Sequence, residues 1–234
     1  MPQPEMIPSS DSPRIVLASA SPRRQALLKA GGVRFEVRVS ALDESPYHHP
    51  SAPRASALKT AMAKASAVAP NLPRDTIVIG ADTLVVLEDG AYTKPANRDE
   101  ARRMLARLSG RRHEVITGLA LHRVGGETLV DADVAGVHFR QLDPAAIDRY
   151  LASGEADDKA GAYGIQGEGA DFITEVEGDL TCVIGLPLLR LEALFLQMTG
   201  LALFNGRRPL GIARMAFPDL DRLPPACFQG LRQA

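Results

Sequence analysis

The sequence predicts a single α/β domain built on a mixed, twisted sheet with flanking helices, and three observations point to it. Strand-type and helix-type segments alternate from Arg14 to about Gly200, with hairpin signals confined to the middle, the order expected of one mixed sheet. The run Thr76–Leu87 is almost continuously β-branched and apolar, as in a central strand covered on both faces. The composition is that of a globular chain, with 45% hydrophobic and 24% charged residues among 234. At roughly 150 residues per domain this length suits one large domain, and no internal repeat is visible.

The elements follow in order. Residues 1–13 hold four prolines and several serines and read as a disordered arm. Arg14–Ser19 is a short apolar strand, and Ser21-Pro22 directly after it is a helix start that Gly31-Gly32 ends. Phe35–Leu42 alternates apolar and polar residues, the period of a half-buried strand. Residues 43–53 read as a loop and about Arg54–Val68 as an Ala/Lys-rich helix. Glu88-Asp89-Gly90 is a hairpin turn, and Asn97 caps a helix through Leu108 that Gly110 closes. Strands near His113–Val124 and Glu127–Arg140 flank a Gly125-Gly126 turn, and Asp143-Pro144 opens a short helix ending near Ser153-Gly154. A glycine-rich loop, a strand around Asp171–Val176 and a helix from about Pro187 complete the body. Beyond Gly200 the periodicity is weak, and residues 200–234 form an extension without an assigned role.

Charge and cysteines narrow the function classes. Lys plus Arg number 27 against 28 for Asp plus Glu, a balance that argues against a nucleic-acid-coating module. Cys182 and Cys227 make no disulfide framework and have no metal-ligand spacing. The N-terminus lacks the basic start and apolar core of a secretory signal. The apolar window Cys182–Phe204 is interrupted by Arg190, Glu192 and Gln197 and reads as a core-facing helix, not a membrane span. A cytoplasmic protein without a membrane partner is the expectation.

Four features carry possible chemistry. Ser19, Ser21, Arg23 and Arg24 lie where a strand hands over to a helix, and a helix N-terminus favours an anion. Guanidinium forks suit phosphate oxygens, although two solvated arginines on an exposed turn would be spelled the same way. Asp82, in Gly80-Ala81-Asp82-Thr83, sits in an apolar strand, where a carboxylate needs a partner, a hydrogen bond or a metal. It is read as a metal ligand or water-activating base, against the alternative of an Asp capping a bulge. Asp43-Glu44 adds carboxylates after another strand, a pair equally typical of a loop start. Lys64 and Lys94 are uninformative singly, although Pro95 holds Lys94 in extended backbone. The segment Gly154–Gly167 has four glycines, with Tyr163 and Gln166, and is suited either to closing over a planar base or to being a plain surface loop. No Walker-type loop, no Gly-x-Gly-x-x-Gly after the first strand and no His-Glu-x-x-His occurs. The five histidines offer no convincing pairing with a Ser or Cys nucleophile.

In this order the segments resemble the Maf family of nucleotide pyrophosphatases, related to proteins first linked to septum formation. The resemblance rests on Leu17-Ala-Ser-Ala-Ser-Pro-Arg-Arg24, Gly80-Ala-Asp-Thr83, Lys94-Pro95, Leu108-Ser-Gly110, Asp158-Lys-Ala-Gly-Ala-Tyr-Gly-Ile-Gln-Gly167 and Gly185-Leu-Pro187, spread over residues 14–199. It implies a fold like that of inosine-triphosphate pyrophosphatases with two lobes around a cleft, frequent homodimers and a divalent cation (Mg, Mn or Co). It also implies cleavage of a nucleoside triphosphate to the monophosphate and pyrophosphate. Asp82 would be the catalytic base, beside a metal held with Glu44. Arg24, Lys64 and Lys94 would hold the triphosphate with Ser19 and Ser21 nearby, and Arg23, Thr83 and Gln166 would set specificity. The paired arginines and the intact 158–167 loop resemble the dTTP/UTP branch. The alternatives are a pyrophosphatase for 7-methyl-GTP or another modified purine, and a non-catalytic nucleotide-binding division regulator. The chain departs from the family at Leu180-Thr181-Cys182, in its N-terminal arm and in its tail.

Overall fold

A computed structural model describes residues 13–49, 51–88 and 90–230. Residues 1–12 of the expected arm lie outside the described residues. Strand β1 (Ile15–Leu17) is wholly apolar and buried, and α1 (Pro22–Ala30) follows within one short turn. Pro22 takes the first helical position, but Ser21 makes no side-chain cap, and its own N–H instead donates to Ser19 Oγ at 3.2 Å. Strand β2 covers only Glu36–Val37, much less than the alternation over 35–42 suggests. Its partner explains the difference: β2 pairs in parallel with β1, which ends at Leu17, so beyond Arg38 the ladder has run out.

Helix α2 (Pro53–Val68) and the long strand β3 (Ile77–Leu87) form the centre of the molecule. β3 pairs in parallel with β1 and antiparallel with β4 (Gly90–Tyr92) and β5 (Arg112–Arg123). β5 continues through the Gly125-Gly126 turn into β6 (Thr128–Phe139), which pairs with β7 (Ile173–Glu177). The sheet order is β2-β1-β3-β5-β6-β7, with β4 alongside β3. Helices α3 (Arg98–Leu108) and α4 (Pro144–Ala152) begin at the expected Asn97 and Asp143, whose side chains accept N–H bonds from Glu100 and Ala146.

Successive β3 side chains point to opposite faces. Val78 and Leu84 face the small side chains Ala57, Ala61 and Ala65 of α2, whereas Ile77, Ile79, Ala81 and Val85 enter the main core. Helix α2 lies unusually close to the sheet because Gly80 and Gly118 make room for its backbone. A Cβ on Gly80 would stand 2.1 Å from the Ala61 carbonyl oxygen, and one on Gly118 would stand 2.5 Å from that of Ala57.

The apolar window after Cys182 is two helices, α5 (Leu180–Ile184) and α6 (Leu188–Thr199). Gly185, at φ +111°, and Pro187 separate them, a bend that only glycine adopts without strain. α6 buries Leu188, Leu191, Leu194, Phe195 and Met198 in the main core, and among the described residues no helix is long and apolar enough to cross a membrane. The unassigned tail is ordered over its described residues, to Gly230: Phe204, and then α7 (Pro209–Ala216) and two 3-10 turns with Ile212, Leu220, Leu223 and Phe228, join the same core. Its weak periodicity has a simple cause, since α7 buries only Ile212 and Ala213 and the rest is short turns opened by proline.

Candidate active site

Strand register creates the site. On one edge of β3, β1 ends opposite Ile79, and the returning β4 ends opposite Val85. Residues 80–84 therefore have no strand neighbour on that edge among the described residues, while the other edge pairs without a break with β5. A cleft of about 700 Å³ opens there, within the size range of small-molecule sites. Asp82 stands in the middle of the gap. Because the edge is open, residues of both faces reach the cleft, Asp82 on the α2 side and Thr83 on the other.

The close seat of α2 delivers Lys64 to this point. Its Nζ donates to Asp82 Oδ1 at 2.8 Å and lies 2.9 Å from Glu44 Oε2. Arg24 arrives from the first turn of α1 and is almost fully buried. Three of its five N–H donors are bonded, to the Gly185 carbonyl (2.7 Å), Ser19 Oγ (3.0 Å) and Thr83 Oγ1 (3.1 Å). Thr83 in turn shares a 3.0 Å hydroxyl contact with Thr117, which donates to the Cys182 carbonyl. A guanidinium is thereby fixed beside the helix N-terminus with little freedom to lose on binding an anion.

The glycine-rich segment forms another wall. Arg23 reaches across to Asp158, with N–H bonds of 3.1 Å to its carboxylate and 3.4 Å to its carbonyl. Tyr163 lines the cleft but is tied down by a hydrogen bond. It is buried, its hydroxyl lies 2.7 Å from His113 Nε2, and Phe139 packs edge-on at 4.7 Å between ring centroids. Burial pushes the His113 pKa down to about 3, so this is a neutral anchor for the loop and not a proton carrier. Gln166 lines the cleft with its Nε2 buried and, among the described residues, without a hydrogen-bond partner. Ser21 and Lys94 line the same cleft, so all ten residues to which the resemblance gives a role meet there.

One site residue is not evident from the sequence. His48 Nε2 lies 3.6 Å from Asp82 Oδ2, and Glu44, His48 and Asp82 offer ligand atoms within 4.8 Å of one another. A single 3-10 turn (Ser45–Tyr47) joins Glu44 to His48 and brings its two ends to the same side, whereas Asp43 is spent locally, accepting from the Ser45 N–H. The usable signal is a histidine four residues after a carboxylate, which a search for histidines beside nucleophiles passes over. Both Asp82 Oδ2 and His48 Nε2 are buried and lack a hydrogen-bond partner among the described residues. A divalent cation bonded to both, with Glu44, would satisfy them, and oxygen and imidazole donors suit Mn²⁺ and Co²⁺ as well as Mg²⁺.

Burial by itself would raise the Asp82 pKa, but His48, Lys64 and Arg24 outweigh it and hold the carboxyl below its ordinary value. Asp82 is thus an anion at neutral pH. Its contact raises the His48 pKa, burial partly opposing, and burial lowers that of Arg24 while Asp82 and Glu44 pull the other way. Anionic oxygens set among fixed cations, with a helix N-terminus alongside, can bind a polyphosphate and orient a water molecule against it.

The family described as Maf-like protein matches residues 14–198. Among curated relatives, the dTTP/UTP pyrophosphatase of Moorella thermoacetica is 51% identical over 184 residues, which is 77% of this chain and 93% of that protein. The dTTP/UTP pyrophosphatase of Symbiobacterium thermophilum is 46% identical over 193 residues, covering 82% of this chain and 97% of that one. The solved Ham1 protein of Staphylococcus aureus is 18% identical with a TM-score of 0.38 over 74% of this chain and 85% of its own, a likeness too slight to bear on fold or activity.

Proposed function

Because the chain belongs to the Maf-like family, we propose that it is a nucleoside triphosphate pyrophosphatase that converts dTTP and UTP to the monophosphate and pyrophosphate. The observation that carries this reading is Asp82, ionised at an open strand edge and packed against Lys64, with Arg24 fixed in the same cleft. The relatives named dTTP/UTP pyrophosphatase, at 46–51% identity over most of both chains, support the choice of base.

In this reading Asp82 accepts a hydrogen bond from a water molecule and aims its oxygen at the α-phosphorus. The new P–O bond forms as the bond to the bridging α–β oxygen breaks. The water's proton passes to Asp82 and then to solvent, and the electron pair leaves on pyrophosphate. Such displacements are catalysed mainly by positioning and by neutralising charge, and an ionised carboxylate of low basicity suits positioning. Lys64, Lys94 and Arg24 neutralise the leaving group, with the N–H groups at the start of α1 and the Ser19 and Ser21 hydroxyls beside it. Arg23 and Gln166 meet the nucleoside end, and Thr83 keeps Arg24 in place. A divalent cation held by Glu44, His48 and Asp82 would supply further neutralisation of phosphate charge. A free nucleotide substrate and two buried free thiols support a cytoplasmic reading.

The test is a panel of canonical and modified triphosphates with Mg²⁺, Mn²⁺ or Co²⁺, with pyrophosphate and orthophosphate measured separately. Pyrophosphate and UMP or dTMP are expected. Orthophosphate would refute the cleavage site, preference for 7-methyl-GTP would move the chain to a modified-purine branch, and tight binding without turnover would make it a sensor.

The metal assignment has its own test. Mn²⁺ bound to the protein is expected to show ¹⁴N coupling in its pulsed electron paramagnetic resonance spectrum. His48→Ala is expected to remove that coupling and to weaken Mn²⁺ binding by about tenfold or more, on the scale seen when a metal loses a supporting group. Unchanged coupling would exclude His48 as a ligand.

A further inference from the structure

The family match stops at residue 198, yet the chain beyond it returns to the loop that carries Gln166. Leu220, Leu223 and Phe228 are buried in the main core and pin residues 217–228 against the body. Asp219 directly precedes the first of these anchors, and its Oδ2 accepts the backbone N–H of Gly167 at 2.5 Å. Arg222 Nη2 donates to both oxygens of the Asp171 carboxylate at 2.7 and 2.8 Å, and its Nη1 donates to the Gly167 carbonyl at 3.5 Å. The peptide groups on both sides of Gly167 are therefore held from the extension.

Gly167 is the residue directly after Gln166. It sits at φ +70°, a turn that glycine makes without strain, and the next N–H, of Glu168, donates to Glu155 Oε1 at 3.2 Å. With this backbone clamped, the half-buried Gln166 side chain, whose Nε2 is buried and without a hydrogen-bond partner among the described residues, keeps one direction into the cleft. A side-chain amide reads a base edge only if its donor and acceptor stand in fixed places, because a rotated amide exchanges the two.

We propose that Asp219 and Arg222 act as positioning residues for Gln166, so that discrimination among nucleobases depends on a C-terminal segment outside the family match. The inference rests on the reading of Gln166 as the residue that meets the base. Loss of the clamp frees the amide without touching the phosphate-binding cations, so its effect is specific to the base.

The test compares UTP with CTP, which exchange donor and acceptor at ring positions 3 and 4, in the full-length chain. Asp219→Ala is expected to raise KM for UTP about tenfold with kcat within about twofold, and to lower the UTP-to-CTP ratio of kcat/KM by about fivefold or more. Asp219→Asn, whose carbonyl oxygen still accepts from Gly167, is expected to restore both. In a Gln166→Ala background, Asp219→Ala is expected to add nothing, as for two residues acting through one group. Arg222→Ala provides an independent release of the same loop should the Asp219 variant fold poorly. If Gln166→Ala changes the ratio while Asp219→Ala and Arg222→Ala leave it intact, the clamp is refuted and the base assignment survives. If Gln166→Ala also leaves it intact, both fall, and a uniform loss of kcat on every nucleotide would mark the segment as structural only.

Discussion

Replacement of Asp82 by Asn is expected to lower kcat about a thousandfold while the chain stays folded and still binds UTP, since an acid–base group contributes roughly 10²–10⁴. Asn has the shape of Asp but neither its charge nor its basicity. Lys64 keeps a partner in Glu44 at 2.9 Å, so no ammonium is left stranded in the interior. The pocket gains positive charge, so KM for a polyphosphate should stay level or fall. The loss should appear in kcat, and equally in kcat/KM only where nucleotide affinity is unchanged. Pyrophosphate release, calorimetric UTP binding and a melting curve together separate the outcomes. Activity within tenfold of the parent would place the base elsewhere, and a collapsed melting curve would mean that Asp82 serves the fold more than the reaction. Mild acid should not mimic the variant, because the folded Asp82 pKa lies below the ordinary 3.8 and the carboxylate remains charged down to that region.

The second large effect is expected at Gly80. In Gly80→Ala the new methyl group would stand 2.1 Å from the Ala61 carbonyl oxygen, which is backbone and cannot rotate away, so α2 must lift from the sheet. Overpacking of this kind costs roughly 1–3 kcal/mol, occasionally more, a large share of the ~5–15 kcal/mol that holds a domain folded. The melting temperature is expected to fall by about 6–12 °C at the upper end of that cost. Activity at a temperature where the variant is folded should fall as well, about tenfold, because the lifted helix carries Lys64 away from Asp82. Met62→Ala, an exposed position on the same helix, is the control and should move the melting temperature by no more than about 2 °C. A Gly80→Ala protein with parental stability would mean that α2 can sit further out without loss, and the Lys64–Asp82 contact would then need a cause other than the close seat of the helix.

Much of the fold is legible locally. Asn97 and Asp143 mark helix starts because a capping side chain bonds a backbone N–H only three residues away, a distance the sequence contains. The 76–87 run declares its strand by β-branched side chains, and Asp82 declares itself by being a charge where none belongs. The alternation over 35–42 overstates β2 because a strand lasts only as long as its neighbour, and the length of β1 is not written in those residues. The tail is unreadable for a related reason: its short turns gain order by burying Leu220 and Phe228 in a core built elsewhere.

The sequence by itself determined the alternation of elements, the buried carboxylate and the set of cationic, hydroxyl and amide groups, since each depends on neighbours a few positions apart. Only the tertiary structure decided that those groups converge. The gap at β3 residues 80–84 exists because β1 stops opposite Ile79 and the returning β4 stops opposite Val85, and Lys64 meets Asp82 because two glycines let a helix backbone lie on the sheet. His48 reaches Asp82, and Asp219 reaches Gly167, across long stretches of chain. Contacts of that kind are set by which surfaces pack together, and packing depends on the whole chain at once.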